Sequence, residues 1–572
     1  MRTARAVWSL AVAFALLPPG LAQDFLVTDS EPGNPGGTLV VCQRAELKTL
    51  NPVLALDTPS RDVIRRMQAD LITINRRTQK TEPGLAKSWK VSVDGRRYVL
   101  ELRRGLRFSD GQPFTADDVV FTFQVYLDEK LRSVQRDLLI VDGQPITVEK
   151  LDNYAVAFRL KEPYAAAERI FDSIPMLPKH LLEMTWREGK LQEAWGLNST
   201  VSQIAGLGPF RLKQYLPGER IVLERNPWYW KRDKRGKALP YFDTLEFRFI
   251  PTEDAQVLRF MGGDVDILDR VGAKNYALLE RDGKSRGDQL QDLGPGLEYN
   301  FLFFNLGGDG GSADQAKRQM WFRDVRFRRA VSTAVDRDGI VRLVYGGRAT
   351  PLWGHVPPGN RLWVSEAIPK PQRSLDRSKE LLKAAGFHWS GDGDLFDSRG
   401  NPVEFSLVVS ASNSERVQMA TIIQDDLKHL GIHVQVVPLE FRSLVDRVLD
   451  THQYDACIFG LGGGDADPNS EMNVWLSSGA THVWNPSQKE PATTWEAEID
   501  TLMRQQMTEL DFSRRKAVYD RVQQIVSRQL PIIPLVSPHV LAAARGRVGN
   551  FQPAVLDHHT LWNVEQLFFR RQ

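Results

Sequence analysis

The sequence predicts mixed α/β domains, because helical and strand patterns alternate in its second half. Residues 378–387 (SKELLKAAGF) have helical spacing, and Gly386 stands where helices commonly end in a left-handed conformation. Residues 419–430 predict another helix, which Gly431 closes, and the strand IHVQVV follows directly. Helices and strands that alternate in this way are typical of α/β domains.

Length and composition indicate a folded protein of two or three domains. The chain has 572 residues, 42% hydrophobic and 25% charged, which excludes a disordered or low-complexity chain. The formal net charge is +3, from 74 basic and 71 acidic residues. A domain that holds a polyanion usually has a stronger basic excess, so nucleic acid is not an expected partner.

The first 22 residues have the pattern of a secretory signal. Arg2 and Arg5 precede the apolar segment 6–17, which is too short to span a bilayer comfortably, and two prolines follow it. We predict cleavage after Ala22, which removes two arginines and no acid and lowers the net charge to +1. Because no cysteine directly follows the apolar segment, no lipid anchor is predicted.

Local residue types predict several turns and caps in the first half. Asp94-Gly95 lies between two strand patterns and indicates a hairpin. Thr115, with an acid three residues later, predicts a capped helix start. Residues 23–36 are rich in Pro, Gly and Asp and are predicted to be a loose lead-in. Cys42 and Cys457 lie in separate apolar strand patterns, which favours buried thiols over a disulfide.

A collinear series of motifs runs along the chain. The motifs are TLNP at 49–52, EPGLAKSW at 82–89, LRRGLRFSDGQPFTADDVVFTF at 102–123, GLGPFRL at 206–212, RNPWYW at 225–230, FMGGDVDI at 260–267 and FRDVRFRRAVSTAVDRDGIV at 322–341. This series resembles one known family, the family 5 extracellular solute-binding proteins of ABC importers, which bind dipeptides, oligopeptides or nickel. Most of the individual motifs are structural, but their collinear order is highly specific, and the resemblance covers nearly the whole mature chain.

The resemblance implies a two-lobe periplasmic binding fold of the hinge-closing type II kind, with an additional inserted domain. After the signal peptide at 1–22, it implies lobe I at 36–70, 196–299 and 534–568, the additional domain II at 71–195 and lobe III at 300–533. The implied function is capture of a peptide or similar small polar solute in the periplasm and its delivery to an ABC permease. A monomer without a cofactor is expected.

The segment 225–250 interleaves aromatic and basic residues, as a groove for single-stranded nucleic acid does. In the family that it resembles, the RNPWYW segment is a structural corner where aromatic residues pack. A short basic run beside Gly236 and Pro240 is typical of a solvated loop. The structural interpretation is therefore preferred.

The glycine-rich run 460–468 is the first candidate for ligand contact, since glycines let the backbone approach a ligand closely. In peptide-binding relatives the matching loop lines the cleft, and an aspartate four residues before its proline binds the peptide amine. Gly464 occupies that position here, and the acid is Asp465. Either a shifted loop still presents Asp465 with Gly462 and Gly463, or the ligand has no free amine. Asp465 as a turn residue is the structural alternative.

Four further residues are weaker candidates for the cleft. Asp57 and Thr58 follow the TLNP motif, and loop capping is their structural alternative. Trp353 and Trp484 would form pocket walls, although packing is the ordinary role of most of the fourteen tryptophans.

No catalytic motif is recognisable, and no metal site is predicted. His429 and His433 have metal-like spacing, but Gly431 ends the helix between them, and His558-His559 is equally weak. Because the family includes nickel-binding proteins, binding of a metal complex stays open as an alternative on the resemblance alone. A secreted hydrolase, or a sensory binding protein on the same fold, is the alternative function.

Overall fold

The structure is a computed structural model that describes residues 23–131, 133–141, 143–283, 286–307, 312–462 and 465–571. The predicted signal segment 1–22 lies outside these residues. Strands β1 to β26 are, in chain order, Leu26–Thr28, Thr38–Gln43, Ile72–Ile74, Thr81–Pro83, Ala86–Val91, Arg97–Leu102, Ile140–Val141, Gln144–Pro145, Thr147–Asp152, Ala155–Arg159, Phe210–Leu216, Arg220–Arg225, Lys231–Asp233, Thr244–Phe249, Ile267–Leu268, Gln289–Pro295, Tyr299–Phe304, Ala349–Pro351, His388–Trp389, Leu395–Phe396, Glu404–Ser410, His433–Leu439, Ala456–Leu461, Ile532–Ala544, Val548–Gly549 and Phe568–Phe569.

Helices α1 to α15 are, in chain order, Thr58–Met67, Ala116–Leu127, Ala167–Ile170, Lys179–Arg187, Glu253–Gly262, Ala273–Gly283, Ala313–Arg323, Val325–Ala334, Arg337–Tyr345, Leu375–Ala384, Ser414–Lys428, Phe441–Val445, Met472–Trp475, Thr494–Thr508 and Phe512–Gln529. Short 3₁₀ helices at Val134–Leu139, Val201–Gln203, Pro468–Glu471 and Val564–Gln566 and a π-helical turn at Asp446–Asp450 are also present. In the described part of the chain, no helix is both long enough and apolar enough to cross a bilayer.

The largest sheet is held together by one long strand, β24. Its strand order is β11-β12-β14-β2-β15-β24-β17-β23-β21-β22, and β16 and β18 also pair with β24. The first residues of β24, 532–536, pair with β17, whereas its last residues, 541–544, pair with β15 and β16. One half of the sheet is therefore built from residues 38–295 and the other from residues 299–461, with β24 common to both.

The first half of the chain also forms a separate antiparallel sheet, β5-β6-β10-β9. Its β5–β6 hairpin turns at the predicted Asp94-Gly95, where Gly95 has a φ of +67°. Helix α2 begins with the predicted capping box, in which the Thr115 amide donates to Asp118 at 2.9 Å. Both local predictions are confirmed.

The predicted α/β pattern of the second half is confirmed. Helix α10 ends before Gly386, and α11 ends before Gly431, which has a φ of +75°. A side chain at Gly431 would also bring its Cβ within 2.2 Å of the Gly393 carbonyl oxygen, so glycine is required there for two reasons. Helix α11 begins at Ser414, five residues earlier than predicted, because Asn413 caps its first turn. Strand β22 then runs parallel to β21.

The predicted loose lead-in is wrong for part of the segment 23–36. Residues 26–28 form β1, which pairs in parallel with β13. The Asp24 side chain accepts a hydrogen bond from the Arg104 amide at 3.1 Å and lies 3.3 Å from Lys87. Loop-like composition therefore did not prevent pairing, because a neighbouring strand edge and two donors were available in the folded chain.

The aromatic and basic segment is a packed corner, as the structural interpretation predicted. Tyr229 and Trp230 are buried, and Trp230 Nε1 donates to the Leu207 carbonyl oxygen at 3.0 Å. The Asn226 side chain donates to the Gly208 carbonyl oxygen at 2.8 Å. The basic residues begin in β13, where Lys231 pairs with a buried glutamate, and continue into a tight turn. The Tyr229 and Trp230 rings are therefore unavailable for stacking on bases, whereas Trp228 is 45% exposed and lies beneath the Arg107 guanidinium.

The two cysteines lie where the strand patterns placed them. Cys42 is in β2 and Cys457 in β23, and both thiols are free. Burial raises the pKa of Cys42 to about 12 and also raises that of Cys457. Neither thiol is therefore activated as a nucleophile.

Candidate functional site

Two neighbouring cavities define the candidate site. The first has a volume of about 470 Å³ and lies between α1, the residues around α3 and the residues 465–470 that follow β23; we call it the cleft. The second, of about 680 Å³, is lined by β1, residues 229–231 and the C-terminal segment around Glu565; we call it the side cavity. The lining of the cleft includes four residues from the range 300–533, namely Asp465, Asp467, Asn469 and Ser470, whereas the lining of the side cavity includes none from that range.

A wall of polar and charged side chains separates the two cavities. Its centre is Asp172, which is 4% exposed and follows α3. Asp172 Oδ1 accepts a hydrogen bond from Arg65 Nη2 at 2.7 Å, and Oδ2 accepts one from Arg76 Nη2 at 2.7 Å. The residues common to both cavities are Arg65, Gln68, Asp70, Ile74, Arg76, Asp172 and His558.

The pKa of Asp172 reflects these contacts. Burial alone would raise the pKa, but Arg65, Arg76 and the backbone amide of Ile74 favour the charged carboxylate. Their combined effect holds the pKa of Asp172 below its ordinary value. The wall therefore contains an ionised carboxylate that fixes two arginines in place.

Asp70, in the same wall, behaves in the opposite way. Burial is the main cause that raises its pKa to about 8; Arg65 opposes the shift and Asp172 adds to it. Arg65 lies 3.4 Å from Asp70 Oδ2, while the buried Oδ1 has no hydrogen-bond partner among the described residues. Asp70 is therefore largely protonated at neutral pH.

We expect Asp70→Asn to stabilise the protein increasingly as the pH rises from 5 to 8. In the unfolded chain the carboxyl ionises near pH 3.9, but in the folded protein it does so only near pH 8. Its favourable contribution is thus complete below pH 3.9 and is lost, by up to about 1.4 kcal/mol per pH unit, as the pH rises toward 8. Urea unfolding of wild type and Asp70→Asn at pH 5 and pH 8 measures the difference in their free energies of unfolding. An equal difference at the two pH values would contradict the prediction.

The loop after β23 is held rigidly on its far side. Asp467 accepts hydrogen bonds from Arg515 Nη1 and Nη2, both at 2.7 Å, and both side chains are nearly inaccessible to solvent. Arg515 also donates to the Gln506 carbonyl oxygen at 2.9 Å, and Asn360 Nδ2 donates to the Ala466 carbonyl oxygen at 2.8 Å. The cleft-lining residues 465–470 thus have a fixed backbone path.

Asp465 faces the cleft, but its carboxylate already has a partner. Arg169 of α3 donates through Nε to both carboxylate oxygens, at 2.9 and 2.7 Å, and its Nη2 also donates to Oδ1. Burial works to lower the pKa of Arg169, but the interaction with Asp465 more than offsets it, and the pKa is raised. This ion pair connects the two sides of the cleft.

The other predicted site residues are spread over the molecule. Gly462 is exposed beside Glu298 at the end of β23 and does not line the cleft, and Gly463 and Gly464 lie outside the described residues. Asp57 caps α1 by accepting a hydrogen bond from the Ser60 amide at 2.9 Å, and Thr58 is exposed at the start of that helix. Both lie near the cleft-lining part of α1 without lining the cleft themselves.

The two tryptophans are placed by packing. Trp353 is half-buried, and its Nε1 donates to the Pro371 carbonyl oxygen at 3.1 Å. Trp484 is 1% exposed and packs against Trp475 and His482. Neither lines either cavity.

Sequence reasoning missed Arg169, Asp172 and Arg515, the side chains that organise the cleft. None belongs to a recognisable motif. The available signal was an acid within an apolar stretch, as in Ile-Phe-Asp-Ser-Ile at 170–174, since a buried acid generally requires a charged partner.

The structure provides no arrangement for metal binding in the described residues, where no cluster of three or more His, Cys, Asp or Glu side chains is suitably placed. His429 pairs with Asp425 at the end of α11, whereas His433 contacts Asp394 from β22. The two rings therefore serve different local contacts.

The fold and the cleft define a class, the two-lobe type II solute-binding proteins. The family model of the bacterial extracellular solute-binding proteins, family 5 Middle, matches residues 80–482. The chain belongs to this family of bacterial extracellular solute-binding proteins. It is accordingly a solute-binding protein.

Three similar proteins illustrate the relationship. A probable ABC transporter-binding protein of Deinococcus radiodurans is 28% identical over 545 residues, which cover 91% of this chain and 90% of that protein. The structure of the oligopeptide-binding protein AppA from Bacillus subtilis, in complex with a nonapeptide, is 25% identical with a TM-score of 0.68, covering 94% of this chain and 100% of that one. The substrate-binding protein CtaP from Listeria monocytogenes, 22% identical, has a TM-score of 0.76 over 94% of this chain and all of that one.

Proposed function

We propose that this protein captures peptides, or similar small polar solutes, in the cleft and delivers them to an ABC permease from the periplasm. The observation that carries the proposal is the cleft itself, which combines apolar side chains such as Ile170 with amides such as Asn469. The similarity to AppA, which binds a nonapeptide, supports peptides as the solute class. The working form is proposed to be a cofactor-free monomer that is exported and cleaved after Ala22.

The proposed mechanism is closure of two lobes around the solute. Lobe I at 36–70, 196–299 and 534–568 would carry domain II at 71–195, and lobe III at 300–533 would approach them. Strand β24 supports this division because it pairs with strands of both halves of the sheet. The Arg169–Asp465 pair links domain II to lobe III across the cleft and would break when the cleft opens.

Among the predicted ligand contacts, Asp465 keeps the strongest position because it lines the cleft. The main-chain groups of residues 465–470 are held in place by Arg515, so they offer a preorganised surface. The other predicted ligand contacts remain predictions, for a cleft that closes in a different way. They are Gly462, Gly463, Asp57, Thr58, Trp353 and Trp484. No bond is broken in this function, so no catalytic group is required.

We expect native mass spectrometry of gently purified protein to show a set of added peptide masses that disappears on denaturation. Ser470→Trp should abolish these masses, because Ser470 is an exposed cleft-lining residue and the indole would fill the cavity. Ser443→Trp is the matched control, since Ser443 is exposed on α12 and does not line the cleft. A protein that retains no peptide, and binds none from a pool of di- to nonapeptides, would overturn the proposal.

A further inference from the structure

We infer that the cleft selects solutes without a free ammonium group beside Asp465, such as N-acylated peptides, and that Arg61 receives their carboxylate. This inference rests on the proposed function, since it specifies the substrate class of the same cleft. It is carried by the pairing of the acidic groups that line the cleft and by one arginine without such a pair.

Every acid that lines the described cleft is paired with an arginine. These pairs are Asp70 with Arg65 at 3.4 Å, Asp172 with Arg65 and Arg76 at 2.7 Å each, Asp467 with Arg515 at 2.7 Å, Asp557 with Arg270 at 3.0 Å, and Asp465 with Arg169. Asp70 is largely protonated at neutral pH, and the other four carboxylates already accept charge-assisted hydrogen bonds, so none of the five has much left to offer a cationic ligand.

The pair at Asp465 shows this most directly. Arg169 Nε and Nη2 form a fork that occupies both carboxylate oxygens, and the Ala466 amide donates to Oδ1 at 2.6 Å. The third guanidinium nitrogen donates to the Gln79 carbonyl oxygen at 2.9 Å, so Arg169 is anchored at both ends. Arg169 thus occupies the place that a solute ammonium would take, and the cleft could close around such a solute only if the ammonium kept the guanidinium from pairing with Asp465 again.

Arg61 is different from the other arginines of the cleft. It lies on the exposed face of α1, lines the cleft, and within the described residues forms no ion pair; its nearest hydrogen-bond partner is Thr58 Oγ1 at 3.4 Å. The neighbouring Asp62 is engaged by His558 Nδ1 at 2.6 Å. Arg61 is therefore free to bind a solute carboxylate.

The charge balance of the cleft also favours a solute with a carboxylate and no ammonium group. The five lining carboxyl groups are matched by three lining arginines, Arg65, Arg76 and Arg169, and by two arginines outside the lining, so Arg61 is the lining guanidinium left without an acid. Protonation of Asp70 at neutral pH removes one further negative charge from the lining. Burial and the surrounding arginines lower the pKa of His558, so its ring is neutral and adds no charge. A solute with a net negative charge, and no ammonium, complements this surface.

The test compares two matched pools of di- to nonapeptides, one with free and one with acetylated amino termini, by competition in native mass spectrometry. Wild-type protein should prefer the acetylated pool by roughly tenfold, the effect of one charge-assisted interaction. Arg169→Met should remove or reverse that preference, because Asp465 then becomes available to an ammonium group. Amidation of the carboxyl terminus should weaken binding to wild type and leave binding to Arg61→Met unchanged.

The outcomes separate this inference from the proposed function. If neither pool binds, peptide capture fails and the inference fails with it. If the free-amine pool binds wild type more tightly, peptide capture stands and the inference is overturned. Arg61→Met alters an exposed residue, so its acid-against-amide comparison decides the second half of the inference even if Arg169→Met does not fold.

Discussion

Arg515→Met is expected to lower the free energy of unfolding by about 3–5 kcal/mol, the usual cost of leaving a buried charge without its partner. Asp467 would lose both of its guanidinium donors, and it is 4% exposed. Methionine would keep much of the packing against Trp363, over whose ring the guanidinium lies at 4.8 Å from the centroid. The loss therefore reports on charge and hydrogen bonding more than on volume.

Arg514→Met is the matched control for this prediction. Arg514 precedes Arg515 on the same helix, but it is exposed and pairs with Glu509 at 2.9 Å on the surface. Such exposed pairs contribute little to stability, because solvent screens them. Urea unfolding of the three proteins measures the comparison. Similar losses in both variants would show that Arg515 acts through helix propensity or packing and that the pair with Asp467 is not what holds the loop.

Asp172→Asn is expected to be the second severe substitution, again with a loss of about 3–5 kcal/mol. The amide would leave Arg65 and Arg76 without their shared carboxylate. The pKa of Asp172 is held below its ordinary value, so its contribution is complete above about pH 4 and is lost as the pH falls through the folded-state pKa. The difference between wild type and variant should therefore shrink only in strong acid.

Urea unfolding at pH 7 and pH 3 tests this expectation. Asp264→Asn is the control, because Asp264 forms an exposed pair with Arg259 at 3.1 Å and should cost less than about 1 kcal/mol. A loss at Asp172 no larger than that of the control would mean that the charged wall tolerates unpaired arginines. The wall would then not fix the geometry of the cleft.

Much of the local structure was predictable because it depends on neighbouring residues. Gly431 ends α11 through its own backbone conformation, and Thr115 starts α2 through a hydrogen bond to residues of the first turn. The failure at residues 26–28 has the opposite cause. Strand β1 exists because β13, about 200 residues later, offers an edge for pairing. No local sequence pattern predicts such a distant partner.

The cleft was harder to predict than the fold for the same reason. Asp465 was identified as a candidate from its loop, but its partner Arg169 lies 296 residues earlier in the chain. The sequence could therefore suggest a carboxylate in the cleft and could not reveal that its charge is compensated. Trp484 shows the converse, since a tryptophan near a glycine-rich loop is equally compatible with a pocket wall and with the buried position that it has.

The position of β24 in the chain has a consequence for how the protein is made. Residues 541–544 complete the half of the sheet built from residues 38–295, and residues 532–536 complete the other half, so both halves need a strand that follows all their other strands in the chain. During synthesis neither half can close until residues 532–544 have emerged. The nascent protein should thus stay incompletely folded until that point, although the other strands of both halves have already been made.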